Sequence, residues 1–183
     1  MKATTAILRA ILAAAPAALY AGAVLAHVGN LDGRMTGGGS FFCNGVRITH
    51  GFTLHCKEGE GPNRLEINFS GGNHFHLTEL TDVNCLDNPA LDPGQPVVRF
   101  DTLVGSGVGT YNQEPATIEL AFTDAGEPGG TVGSFPHDVA AFSITLVGET
   151  KPVISCGKTQ TDPPSGPPLR QGNHQAHPAI NKP

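Results

Sequence analysis

The apolar positions of this chain recur every second residue. From Val46 to Cys56, the residues Val46, Ile48, His50, Phe52, Leu54 and Cys56 alternate with Arg47, Thr49, Gly51, Thr53 and His55, the pattern of a strand with one buried face. Asn44-Gly45 just before it is a two-residue hairpin signal that pairs this strand with Ser40 to Cys43. Further strands are predicted at Leu65/Ile67/Phe69, Phe75/Leu77, Val98/Phe100, Ile118/Leu120/Phe122 and Phe142/Ile144/Leu146, with a short one near Val153-Ile154. Turn residues separate them at Gly59 to Asn63, Ser70 to Asn73, Asp87 to Pro96 and Asp124 to Gly133. Short strands, frequent turns and no window of helical period predict an all-β chain. It reads as a single antiparallel β-sandwich or flattened barrel.

Two stretches break the alternation. GSGVGTY at Gly105 to Tyr111 looks like a phosphate loop but lacks the Lys and the following helix, so it reads as a flexible strand or a bulge. TQTDPPSGPP at Thr159 to Pro168 has four prolines and no apolar period, and is a loop inside the domain. Gly172-Asn173-His174-Gln175-Ala176-His177 is rich in side chains that bond backbone. It is predicted to dock as an edge strand or clasp on the sheet carrying His50 and His76, with His174 and Ala176 on one face and Gln175 and His177 on the other. Residues 178–183 are expected to form a flexible tail.

The first residues change the setting of this domain. Lys2 and Arg9 precede an uncharged Ala/Leu/Val run from Ala10 to Leu25, and Val24-Leu25-Ala26 offers a small-residue cleavage site before His27, with Ala21-Gly22-Ala23 as a second. This is the layout of a cleaved signal peptide over residues 1–26 followed by a domain over 27–177. The alternative is an uncleaved membrane anchor, for which the run is short. No membrane span is expected after signal removal. The chain of 183 residues has a formal net charge of −5 and no cluster of Lys and Arg, which argues against a nucleic-acid partner. The expected location is secreted or cell-surface, or periplasmic where the cell has an outer membrane. Its four cysteines, Cys43, Cys56, Cys85 and Cys156, all follow the leader without a CxxC pair, and so predict two disulfides rather than a thiolate metal site. Spacing alone leaves three connectivities open.

An ordered set of blocks carries a resemblance. Gly33-Arg34-Met35-Thr36-Gly37-Gly38-Gly39-Ser40 is followed by Arg47-Ile48-Thr49-His50-Gly51-Phe52 with Leu54-His55-Cys56, then by Asn63-Arg64-Leu65-Glu66-Ile67-Asn68. After these come Gly72-Asn73 with Phe75-His76-Leu77, Thr117-Ile118-Glu119 with Phe122-Thr123-Asp124-Ala125-Gly126-Glu127-Pro128-Gly129, and Gly172 to His177. Together they resemble the post-choice-of-anchor-P domain family of bacterial secreted proteins, over Gly33 to His177. The resemblance implies a secreted module with no established activity. It also implies a bridge between Cys56 and Cys85, leaving Cys43 with Cys156. The chain departs from the family pattern at His74, and in a longer stretch, Gly129 to His137, before Asp138.

Histidines are the candidates for chemistry. His74 and His76 lie two apart and share one side of their strand, where a third ligand from His55, His174 or His177 would complete a zinc or copper site. The plainer reading makes them half-exposed residues bonding turn backbone. His50 shares a face with apolar residues and reads as a buried structural histidine. If the leader is cut after Ala26, the new terminal His27 could chelate copper through its amine and ring, as oxidative polysaccharide-cleaving enzymes and copper carriers do. Asp124, Glu127 and Asp138 flank a Gly/Pro loop and could hold calcium; the plainer alternative is that Asp124 and Glu127 bond the loop's own N–H groups. No G-x-S-x-G or H-E-x-x-H occurs, so hydrolase chemistry has no positive support. The sequence therefore points to an exported structural or binding module, more simply not an enzyme, facing a protein or other cell-surface ligand. The alternative is a protein binding copper, zinc or calcium.

Overall fold

The structure is a computed structural model that describes residues 31–91, 98–126, 138–160 and 164–179. The leader, His27 and Glu127 lie outside the described residues. The chain is all-β. Its strands are β1 (Gly33–Cys43), β2 (Val46–His55), β3 (Arg64–Phe69), β4 (His74–Leu86), β5 (Thr102–Tyr111), β6 (Glu114–Thr123), β7 (Ala140–Leu146), β8 (Ile154–Cys156) and β9 (Gln171–Pro178). They form one antiparallel sheet in the order β8-β7-β6-β5-β4-β3-β2-β1-β9. Eight strands thus follow one another as a meander, and the last returns to lie beside the first. Among the described residues no helix is long and apolar enough to cross a membrane.

The predicted hairpin forms as its residues require. Asn44 and Gly45 both take positive φ, 50° and 80°, the conformation of a two-residue turn whose twist matches its strands. Cys43 then pairs with Val46 and Gly39 with His50. Strand β4 runs far beyond the predicted Phe75/Leu77 and carries register shifts at Leu77/Glu79 and Leu80/Asp82. Opposite them lies β5, the glycine-rich stretch, whose Gly107 would place a Cβ 2.6 Å from the Glu79 carbonyl oxygen. These glycines let a bulged neighbour approach closely. One predicted strand is absent: Val98 and Arg99 form a bend, and Phe100 is a buried plug in the core beside Gly33. A three-residue alternation cannot tell that plug from a strand.

The sheet curls until its two ends face each other across one core. Phe41 of β1 and Phe69 of β3 both meet Phe142 of β7, with ring centroids 6.1 and 6.2 Å apart, and Phe52 of β2 stacks on Phe122 of β6 at 4.3 Å. All five rings are buried, each contributing about 1.5–3 kcal/mol by leaving water. Two disulfides cross-link the chain, Cys56–Cys85 and Cys43–Cys156. The second ties β1 to β8, the strand at the opposite edge of the sheet. Such bridges fit an oxidising compartment.

Candidate functional site

Closure of the curl gathers the buried polar groups into one place. β9 has β1 on one side and, among the described residues, no strand on the other, so the N–H groups on its free edge need acceptors. Two aspartates supply them. Asp138, just before β7, accepts the His174 N–H at 2.5 Å through Oδ2 and the Ala125 N–H at 2.8 Å through Oδ1. Asp124, just after β6, accepts the Ala176 N–H at 2.7 Å through Oδ2 and the Gly126 N–H at 3.0 Å through Oδ1. Carboxylates thus do at this seam what a ladder does elsewhere in the sheet. Nearby, the Leu169 N–H donates to the Asp138 carbonyl and the Arg170 N–H to the Ser40 carbonyl, which anchors the segment leading into β9.

The predicted alternation of β9 is found, with His174 and Ala176 inward and Gln175 and His177 outward. The inward positions of β1 between His174 and His50 are Gly37 and Gly39, which pair with His174 and His50 respectively. A Cβ at Gly37 would lie 2.8 Å from the His174 ring and 2.7 Å from the Asn173 carbonyl oxygen. Because β1 offers no side chain there, the imidazoles of β2 and β9 reach across it and their Nε2 atoms meet at 2.7 Å. The network assigns the protons. His174 Nδ1 lies 2.9 Å from the Thr123 carbonyl oxygen and must donate, so its Nε2 accepts from His50 Nε2–H. His50 Nδ1 is left as a buried lone pair with no hydrogen-bond partner among the described residues.

Burial holds both rings neutral. The His174 pKa is pushed down to about 3, by burial first and then by the neighbouring His50, against the pull of the Thr123 carbonyl. That of His50 falls to about 4 through burial, opposed by the Gly39 backbone. Asp101 moves the other way, up to about 7: burial outweighs its bonds from the Thr102 hydroxyl and Asn88 N–H, and the charges of Asp87 and Asp124 add to the rise. With His174 fully enclosed and His50 only 7% exposed, this cluster serves the fold from inside.

The other histidines do not join it. His74 and His76 share the outer face of β4, as their spacing predicts. His76 Nδ1 bonds Glu66 across the ladder, and the His74 N–H donates to Asn112 Oδ1. His174 is inside, so it cannot ligate a metal with this pair. His55 and His177 lie elsewhere, one on each side of Arg34. Among the described residues, no three His, Cys, Asp or Glu side chains are grouped to hold a metal ion. Asp124 accepts the loop's own Gly126 N–H, while both Asp124 and Asp138 also accept N–H groups of β9; Glu127 lies outside the described residues. The neighbours of Arg34 and Thr123 come from register and curl, which leave no local signal in the sequence, whereas Asn63 and Asp101 bond residues three and one positions away as well as distant ones. Comparison with family models, curated proteins and solved structures returns no match.

Proposed function

We propose that this protein is an exported structural or binding module of the cell surface or extracellular space, periplasmic where there is an outer membrane. The observation that carries this reading is the use to which its buried polar residues are put. Asp124, Asp138 and His174 bond backbone across the seam between the sheet's ends, and His50 bonds His174. A chain that spends its interior chemistry on closing a fold leaves its outer faces for partners. Two disulfides, the signal-like leader, and the resemblance of Gly33 to His177 to post-choice-of-anchor-P modules support the same reading.

The test is fractionation of cells making the full chain, followed by non-reducing peptide mapping and elemental analysis. The expected product begins after Ala23 or Ala26, lies in the exported fraction and carries both bridges. Reduced protein retained in the cytoplasm would overturn export. Copper or zinc at one ion per chain would favour a metal protein.

A further inference from the structure

The outer face at one end of the sheet carries a different arrangement. Arg34 on β1 is the direct cross-strand neighbour of His55 on β2 and of His177 on β9. Their sequence neighbours Met35, Leu54 and Ala176 point into the core, so the guanidinium and the two imidazoles share the outer face in one row. Beside the row opens a hollow of about 460 Å³, walled by Arg34, His55, Gly59, Glu60, Gly61 and Pro178 among others. That volume falls in the range of small-molecule pockets, roughly 300–1,000 Å³.

Asn63 holds the wall in place. Its Oδ1 accepts from the His55 N–H at 2.8 Å and lies 3.2 Å from His55 Nδ1, while its Nδ2 donates to the Glu60 carbonyl at 2.7 Å. The His55 ring is thereby oriented, and its Nε2 remains for a ligand. The charges are also sorted. Lys57 pairs with Asp32 at 2.6 Å, and it feels the charge of Glu60 as well. Arg34 has no carboxylate partner among the described residues, although a guanidinium is the side chain best shaped to grip one.

We infer that this hollow binds an oxyanion group, a carboxylate or sulfate, with Arg34 as its fork and His55 as the flanking donor; His177, on the other side of Arg34, bonds Thr36 Oγ1 through Nε2 at 2.8 Å and stands beside the hollow as a reporter on Arg34. The inference names a ligand class for the binding reading above. It is tested on purified, oxidised full chain, so a failure of export would not touch it. The charges of Asp32 and Glu60 oppose an anion here, and Lys57, paired with Asp32, offsets them. The inference has a second handle. The pKa of His177 is lowered by burial and then by Arg34, against Asp124, so an anion seated on Arg34 must raise it.

Histidine-ring NMR is followed during titration with sodium sulfate and, separately, sodium glucuronate, with sodium chloride at equal ionic strength as the control. Saturable shifts at His55 and His177 and a rise in the His177 pKa are expected with the oxyanions and not with chloride. Arg34→Gln should weaken binding about ten-fold or more, with an unchanged melting temperature showing that the fold is intact. Tighter glucuronate would assign the site to an organic acid, and equal affinities to the bare anion. Shifts that do not saturate, or that persist undiminished in Arg34→Gln, would overturn the inference.

Discussion

Replacing Asp138 with Ala is the sharpest probe of how the sheet closes. The carboxylate accepts two buried backbone donors, Ala125 N–H at the end of β6 and His174 N–H on the free edge of β9. An alanine leaves both without a partner, at about 1–3 kcal/mol each, or about 2–6 kcal/mol together. For a domain of this size each kcal/mol lowers Tm by about 2–4 °C, so a loss near the middle of that range is ~8–16 °C. Asp138→Asn should fall between wild type and Asp138→Ala, since an amide oxygen can accept one of the two bonds while its NH2 faces the other donor. Urea unfolding of the oxidised protein gives the energy, and native-state amide exchange gives the place. The His174 and Ala125 amides should lose protection, while those of the β3–β4 hairpin keep theirs. Exposed Asp82 changed to Ala is the control. If Asp138→Ala lies within ~0.5 kcal/mol of that control, the ordinary range for surface substitutions, carboxylate capping of the edge is refuted.

The same picture yields further expectations. Removing Cys43–Cys156, which spans 113 residues, should destabilise more than removing Cys56–Cys85, which spans 29, by loop closure about 5 against about 3.5 kcal/mol; the reverse order in urea would mean that the long bridge does not clamp the seam. Stability should climb as pH rises from about 4 to about 6.5, because there the unfolded chain binds protons that His50 and His174 refuse when folded. Asp101 opposes this, holding a proton in the folded state up to about 7, so Asp101→Asn should steepen the climb; equal slopes in urea midpoints at pH 4.5 and 6.5 would contradict the assignment. Gly37→Ala should loosen β9, since its methyl meets the backbone of Asn173 and His174, and exchange protection on β9 unchanged from wild type would show that β1 and β9 are not so closely apposed.

Much of this architecture can be read directly from the residues. Alternation over Val46 to Cys56 defines β2 and puts His50 inside, and Asn44-Gly45 is a hairpin because two consecutive positive-φ residues are what its turn needs. The inward facing of His174 and Ala176 follows from period two once the segment is taken as a strand. Glycine is harder to interpret. Gly105 to Tyr111 belongs to a full strand because bulges in β4 need neighbours without a Cβ, and Gly37 leaves the space that the His174 ring takes up. In each case the cause is a residue on another strand, absent from the local pattern.

The same distinction explains the acids. Asp124 and Asp138 look from the sequence like oxygen ligands flanking a loop, and the chemistry of that expectation is sound: each presents two hard oxygens to positive partners. What occupies them is the partial positive charge of backbone N–H groups on a strand 52 and 36 residues further along. A free strand edge inside a closed fold must find acceptors, and a carboxylate can serve two donors at once where a carbonyl in a ladder serves one. Calcium in that position would compete with the donors of β9 for the same oxygens. A gain of stability on adding calcium would therefore have to come with loss of His174 or Ala176 amide protection, whereas the closed seam predicts that neither changes.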